Sequence, residues 1–249
     1  AAKADGRKPS IWDKFCATPG KVRDDHTGDV SCDQYHRYRE DVQLMRWLGL
    51  KAYRFSVAWP RIIPEGRGRV NTNGLDYYDR LVDELLANGI QPWCTLYHWD
   101  LPQVLQDELG GWASRTTVEL FGEYSAVVAK RLGDRVRNFF TMNEVGCVIN
   151  LGYYLGIHAP GLTLERKAMA QVGHNVLMAQ GRAVQALRAN CPKRPTVGIA
   201  DNPSACIPCI ETPEHIKAAR VAFRLKNARY ITPIMEGRYP DEFLADEGA

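Results

Sequence analysis

The sequence predicts an α/β fold: a parallel sheet forming a (β/α)8 barrel of the TIM type, of which about four to five βα units are present. Three observations carry this expectation. Amphipathic helical segments alternate with short apolar strands along the chain. Polar residues fit for chemistry fall at the carboxyl ends of those strands, ahead of long loops, where parallel α/β folds place their ligands. The competing doubly wound dinucleotide sheet needs a Gly-rich turn directly after a strand, and "GRGRVN" lacks the third glycine and lies too far from its strand.

"DQYHRYREDVQLMRWLGL" sets Tyr35, Tyr38, Val42, Met45 and Leu48 at helical spacing, with Gly49 as the stop. "KAYRFSVAW" follows as a strand. "GLDYYDRLVDELLANG" is a second helix ending at Gly89, and "IQPWCTLYHW" is its strand. "TVELFGEYSAVVAKRLG" is a third helix, ahead of the strand "RVRNFFTMNE". "LERKAMAQVGHNVLMAQGRAVQALRAN" is a long fourth helix, ahead of "PTVGIADN", and "EHIKAARVAFRLKNARYI" is a fifth. The loops "PRIIPEGRGRVNTN", "DLPQVLQDELGGW" and "VGCVINLGYYLGIHAPG" all follow strands. Four convincing strands are half the number a closed barrel requires.

Composition narrows the function classes. The 249 residues are 45% hydrophobic and 24% charged, as in an ordinary globular protein. No linker or low-complexity tract divides them, so residues 1–249 read as a single domain. A net charge of +3, with no basic run interleaved with aromatics, argues against nucleic acid as a partner. No apolar run reaches the length of a membrane span. The polar start "AAKADGRKPS", the lack of a glycosylation sequon and the odd count of seven cysteines favour a cytoplasmic setting. Cys94 and Cys147 read as reduced core residues. "CIPC" (Cys206 to Cys209) has redox or zinc spacing but no second pair nearby, so a plain loop is preferred over a loop disulfide.

The strand ends deliver Arg54 and Trp59, then His98, Trp99 and Asp100, then Asn143 and Glu144, then Asp201 and Asn202. Singly each has a dull explanation: a surface arginine, a packed corner, a helix cap. On one rim of a parallel barrel they converge, and carboxylate, amide, imidazole, guanidinium and indole together suit a ligand dense in hydroxyls. Glycosidic bonds break through an oxocarbenium-like transition state, usually between two carboxyl groups. Glu144 fits the acid, and Asn143 beside it fits a ligand for the sugar 2-hydroxyl.

The segments "SIWDKFCATPGKV", "TGDVSCDQYHRYREDVQLMRWLGLKAYRFSVAWPRIIPEGRGRVNTNGLDYYDRLVDELLANGIQPWCTLYHWDLPQVLQ", "NLGYYLGIHAPG" and "GRYPDEF" closely resemble glycoside hydrolase family 1, the β-glucosidases and their relatives. The likeness covers nearly the whole chain. It implies a retaining (β/α)8-barrel enzyme with no metal or organic cofactor, acting on a β-glucoside or related oligosaccharide. It implies Glu144 as acid/base, Asn143 as its neighbour, His98 on the sugar hydroxyls and Trp99 bordering that pocket. Arg54 would lie under the nucleophile, and Asn202 would line the site. Three departures stand out. The acid motif reads "TMNEV" where the family usually has a proline after the acid. The family's first strand, with its glycone-binding glutamine, should precede "GRKPSIWD". No T-E-N-G-like segment supplies a nucleophile. The expectation is therefore an incomplete barrel lacking its first strand and carboxyl-terminal half, with that half or a second copy covering the open edges. The alternatives are a catalytically inactive half-barrel for carbohydrate binding or assembly, and a divergent enzyme using Asp201 as nucleophile.

Overall fold

Four strands lie in chain order as parallel neighbours: β1 (Ala52–Ser56), β2 (Gln91–Tyr97), β3 (Asn138–Asn143) and β4 (Thr196–Ala200). The computed structural model describes residues 2–241, 243 and 244. Ala52 pairs with Gln91, Trp93 with Asn138, and Asn138 with Thr196, so the strands start level and deliver their carboxyl ends to one rim. This is the partial barrel expected from the sequence.

Helices connect the strands: α1 (Ile11–Cys16) and α2 (Gln34–Trp47) before β1, and α3 (Trp59–Ile62) and α4 (Thr72–Ala87) before β2. Next come α5 (Gln103–Leu109) and α6 (Arg115–Leu132) before β3, then α7 (Val145–Ile149) and α8 (Arg166–Asn190) before β4. The last two are α9 (Pro213–Phe223) and α10 (Arg229–Glu236). The apolar stripes of α2, α4, α6 and α8 bury Val42, Leu81, Val82, Leu85, Val128 and Val176 against strand residues Phe55, Cys94, Leu96 and Phe139. Each such side chain contributes about 1.5–3 kcal/mol by leaving water. The Tyr124 hydroxyl of α6 donates into this core, 2.8 Å from the Val57 carbonyl and 3.0 Å from that of Leu96. Its single proton is shared between these two buried carbonyls.

Three expectations differ from what is found. The loops after the strands contain α3, α5 and α7, which are too short to show a period. The expected fifth helix is interrupted by a wide π-type turn over Arg224–Ala228, between α9 and α10. Leu48 lies past the end of α2 and is 58% exposed rather than buried. "CIPC" is a loop, and Cys206 and Cys209 are free thiols.

Candidate functional site

The rim is built from the strand ends upward. On β1, Arg54 points to the sheet face away from the helices. Its Nε donates 2.9 Å to Thr95 Oγ1 of β2, and its guanidinium lies 5.0 Å over the Phe140 ring of β3. Its Nη2 donates in a short bond to Asn143 Oδ1. Strict alternation from Phe140 would turn Asn143 toward the helices. The pairing of β3 with β4 slips between Phe140 and Asn143, and this irregularity brings the amide round to Arg54. Because a guanidinium only donates, it fixes the Asn143 oxygen toward itself and leaves Nδ2 as the outward donor.

Glu144 follows at the start of α7 with φ +48°, in the left-handed region. Its N–H donates 2.6 Å to the Ala200 carbonyl of β4, and its own carbonyl accepts from Cys147 and Val148. The Asn202 amide nitrogen lies 3.5 Å from Glu144 Oε2 and 3.4 Å from Cys147 Sγ. Cys147, expected in the core, is thus half-buried beside the carboxylate. Burial raises its thiol pKa and Glu144 adds to the rise, against the Asn202 hydrogen bond that lowers it, and the net rise favours thiol over thiolate.

His98 stands at the end of β2, exposed at the rim. Partial burial and the Arg54 charge lower its pKa, against an opposing pull from Glu144. A neutral imidazole has one donor and one acceptor, which suits a hydroxyl. Trp99 is half-buried with φ +76°, and its indole N–H donates 2.8 Å to the Asn143 carbonyl. Asp100 follows, with Oδ1 shut off from water, and burial pushes its pKa up to about 6.

Arg54, His98, Trp99, Asn143, Glu144 and Asn202 therefore share one rim. Sequence reading missed two further members. Trp12 of α1 stacks on Trp99 at 6.5 Å, and His158 packs on both rings at 5.3 and 5.4 Å. Neither lies at a strand end, so no pattern exposes them. Trp12 is carried in by the capped start of α1, where the Ser10 N–H donates 2.6 Å to Asp13 and Arg7 pairs with the same carboxylate at 2.8 Å. A hollow of about 300 Å³ opens next to Asn202, lined by Cys147, Asn150, Asp201 and Arg229. Among the described residues no group of three or more His, Cys, Asp or Glu is placed to hold a metal ion.

The half-barrel rim gathers a carboxylate, an amide, an imidazole and stacked indoles where parallel α/β barrels place their ligands. The model of glycosyl hydrolase family 1 fits residues 1–247, and the chain belongs to that family. It is 51% identical over 245 residues to beta-glucosidase A of Acetivibrio thermocellus, covering 98% of this chain and 54% of that protein. It superposes on the virulence factor SghA of Agrobacterium tumefaciens with a TM-score of 0.94 at 47% identity, covering 100% of this chain and 55% of that one. A beta-glucosidase of Thermotoga maritima in complex with glucoimidazole gives a TM-score of 0.93 at 45% identity, over 98% of this chain and 55% of that one. The chain spans about half the length of these relatives.

Proposed function

We propose that the chain carries the acid/base side of a retaining β-glycosidase site of the β-glucosidase type. The observation that carries this reading is the joining of Asn143 and Glu144 to Arg54, His98 and Asn202 across four adjacent strands. In this reading Glu144 protonates the glycosidic oxygen and later takes a proton from water. Asn143 Nδ2 donates to the sugar 2-hydroxyl, held in that orientation by Arg54. Neutral His98 donates to one hydroxyl or accepts from it. SghA has been solved with its substrate analog salicin, and the T. maritima enzyme with glucoimidazole, which supports a gluco-configured ligand here. No organic or metal cofactor enters the scheme.

Retention needs a second carboxylate about 5–5.5 Å from the first. No T-E-N-G-like segment supplies one, so the opposing nucleophile comes from outside these residues. The residues form one incomplete (β/α)8 domain, whose carboxyl-terminal half or a second copy completes the ring. Purified 249-residue chain is expected to bind glucoimidazole, with affinity at least tenfold weaker after His98→Ala or Asn143→Ala. Absence of binding in calorimetry would overturn the assignment. The same material should release no chromophore from an aryl β-glucoside, and turnover abolished by Glu144→Gln would place a nucleophile within the chain.

A further inference from the structure

We propose that Trp99 is a positioning residue for Glu144, acting through the peptide that joins Asn143 to Glu144. The inference rests on the glycosidase reading only for what Glu144 does, not for how it is held. Among the described residues, the non-glycine positions with positive φ are Asp5, Asp24, Asp25, Ser31, Asp33, Trp99 and Glu144. The first five carry short polar side chains, which tolerate that region by bonding to nearby backbone. Trp99 and Glu144 have no such excuse, and such strain persists only where the surroundings over-determine it.

A single hydrogen bond links Trp99 to the peptide that precedes Glu144. The Trp99 indole N–H donates 2.8 Å to the Asn143 carbonyl, from the β2 side. The N–H of the same peptide, belonging to Glu144, donates 2.6 Å to the Ala200 carbonyl on the β4 side. The peptide plane is clamped at both polar atoms by the two flanking strands. Its orientation sets the direction in which the Glu144 side chain leaves the backbone. The slip of β3 against β4 lies between Phe140 and Asn143, and pairing resumes at Asn143 with Ala200; the N–H half of the clamp is the ladder bond of that pair, and the carbonyl half is supplied by a side chain.

The rest of Trp99 is arranged to hold the indole rather than to offer it. Trp12 stacks on the ring at 6.5 Å, His158 packs against it at 5.4 Å, and His98 meets it edge-on at 5.4 Å. With its donor committed to backbone and its ring flanked on these sides, the indole acts on a sugar mainly through the carboxylate it aims.

The test removes the N–H. Trp99→Phe does this with a smaller ring, and site-specific replacement with 3-benzothienylalanine does it with the ring shape kept. In both, the Glu144 amide should exchange with solvent deuterium at least tenfold faster, and the Glu144 side-chain carboxyl 13C line should shift. The amides of Phe139 and Thr141 should keep their rates. A Glu144 amide rate within twofold of wild type in the benzothienyl protein overturns the inference. So does equal acceleration along all of β3, which would make Trp99 a general packing residue. None of these readouts involves a sugar. Failure of the parent chain to bind glucoimidazole would therefore remove the glycosidase reading alone, while the exchange rates still decide the role of Trp99.

Discussion

At the scale of single residues, charge and hydrogen-bond direction determine what the rim can do. Arg54 reaches Thr95 and Asn143 together because a guanidinium is a rigid fork; an ammonium on a flexible stem cannot hold both. Arg54→Lys should therefore leave the fold intact by circular dichroism yet weaken glucoimidazole binding about tenfold, because the Asn143 amide is then free to turn. Asp100 makes a prediction in pH. Its folded value of about 6 lies above the ordinary carboxylate value of 3.8. The stability it contributes is thus fully present below about pH 4 and is lost as pH rises through about 6. Wild type minus Asp100→Asn, measured by urea unfolding, should gain about 2 kcal/mol between pH 7 and pH 4. His98 and Asp13 run the other way. Burial and the Arg54 charge lower His98. At Asp13, burial raises the carboxyl, but the Arg7 and Ser10 hydrogen bonds outweigh it and leave it low. Their contributions are lost as pH falls; both residues are present in the two proteins, so in the difference His98 cancels and Asp13 cancels apart from its repulsion of Asp100.

At the scale of elements, close approach outweighs propensity. Gly74 lies inside α4, where Gly→Ala ordinarily stabilises a helix by about 1 kcal/mol. Here an added Cβ would sit 2.2 Å from the Arg61 carbonyl oxygen of α3. The sign should reverse, with Gly74→Ala destabilising the chain by about 2 kcal/mol in thermal or urea unfolding. The same contrast shows what the sequence could reveal. Leu81, Val82 and Leu85 of α4 and Phe139 of β3 fall into place because a period of 3.6 or a short apolar run is a local signal. Asn143 and Glu144 were legible as a polar pair closing a buried strand. The α3–α4 approach, the π-type turn after α9, and the meeting of Trp12 and His158 on Trp99 are decided by partners distant in sequence. The Trp99 indole bond belongs with these: its residue was legible, but its partner was not.

At the scale of the whole molecule, the sheet has two unpaired sides among the described residues, because β1 and β4 each have one neighbour. The helices at those sides carry apolar side chains that the described chain leaves uncovered. These are Leu44 and Trp47 on α2 and Leu48 just past its end, at 56%, 80% and 58% exposed. Past β4 they are Val221, Phe223 and Leu225, at 49%, 49% and 47%. The α2 residues follow the same helix whose other face buries Tyr38 and Val42, so the helix is apolar on two sides, as a helix packed between two neighbours should be. Unpaired strand edges and exposed apolar stripes together favour association. The 249-residue chain alone should therefore show a light-scattering mass that rises with concentration above its monomer mass of 28.1 kDa. Trp47→Glu combined with Leu48→Lys should lower that mass without altering the near-ultraviolet circular dichroism, since neither side chain is in the buried core. A chain that stays monomeric at about 100 μM, where exposed edges normally aggregate, would mean these surfaces need no cover. An incomplete ring would then be supported by the strand count alone.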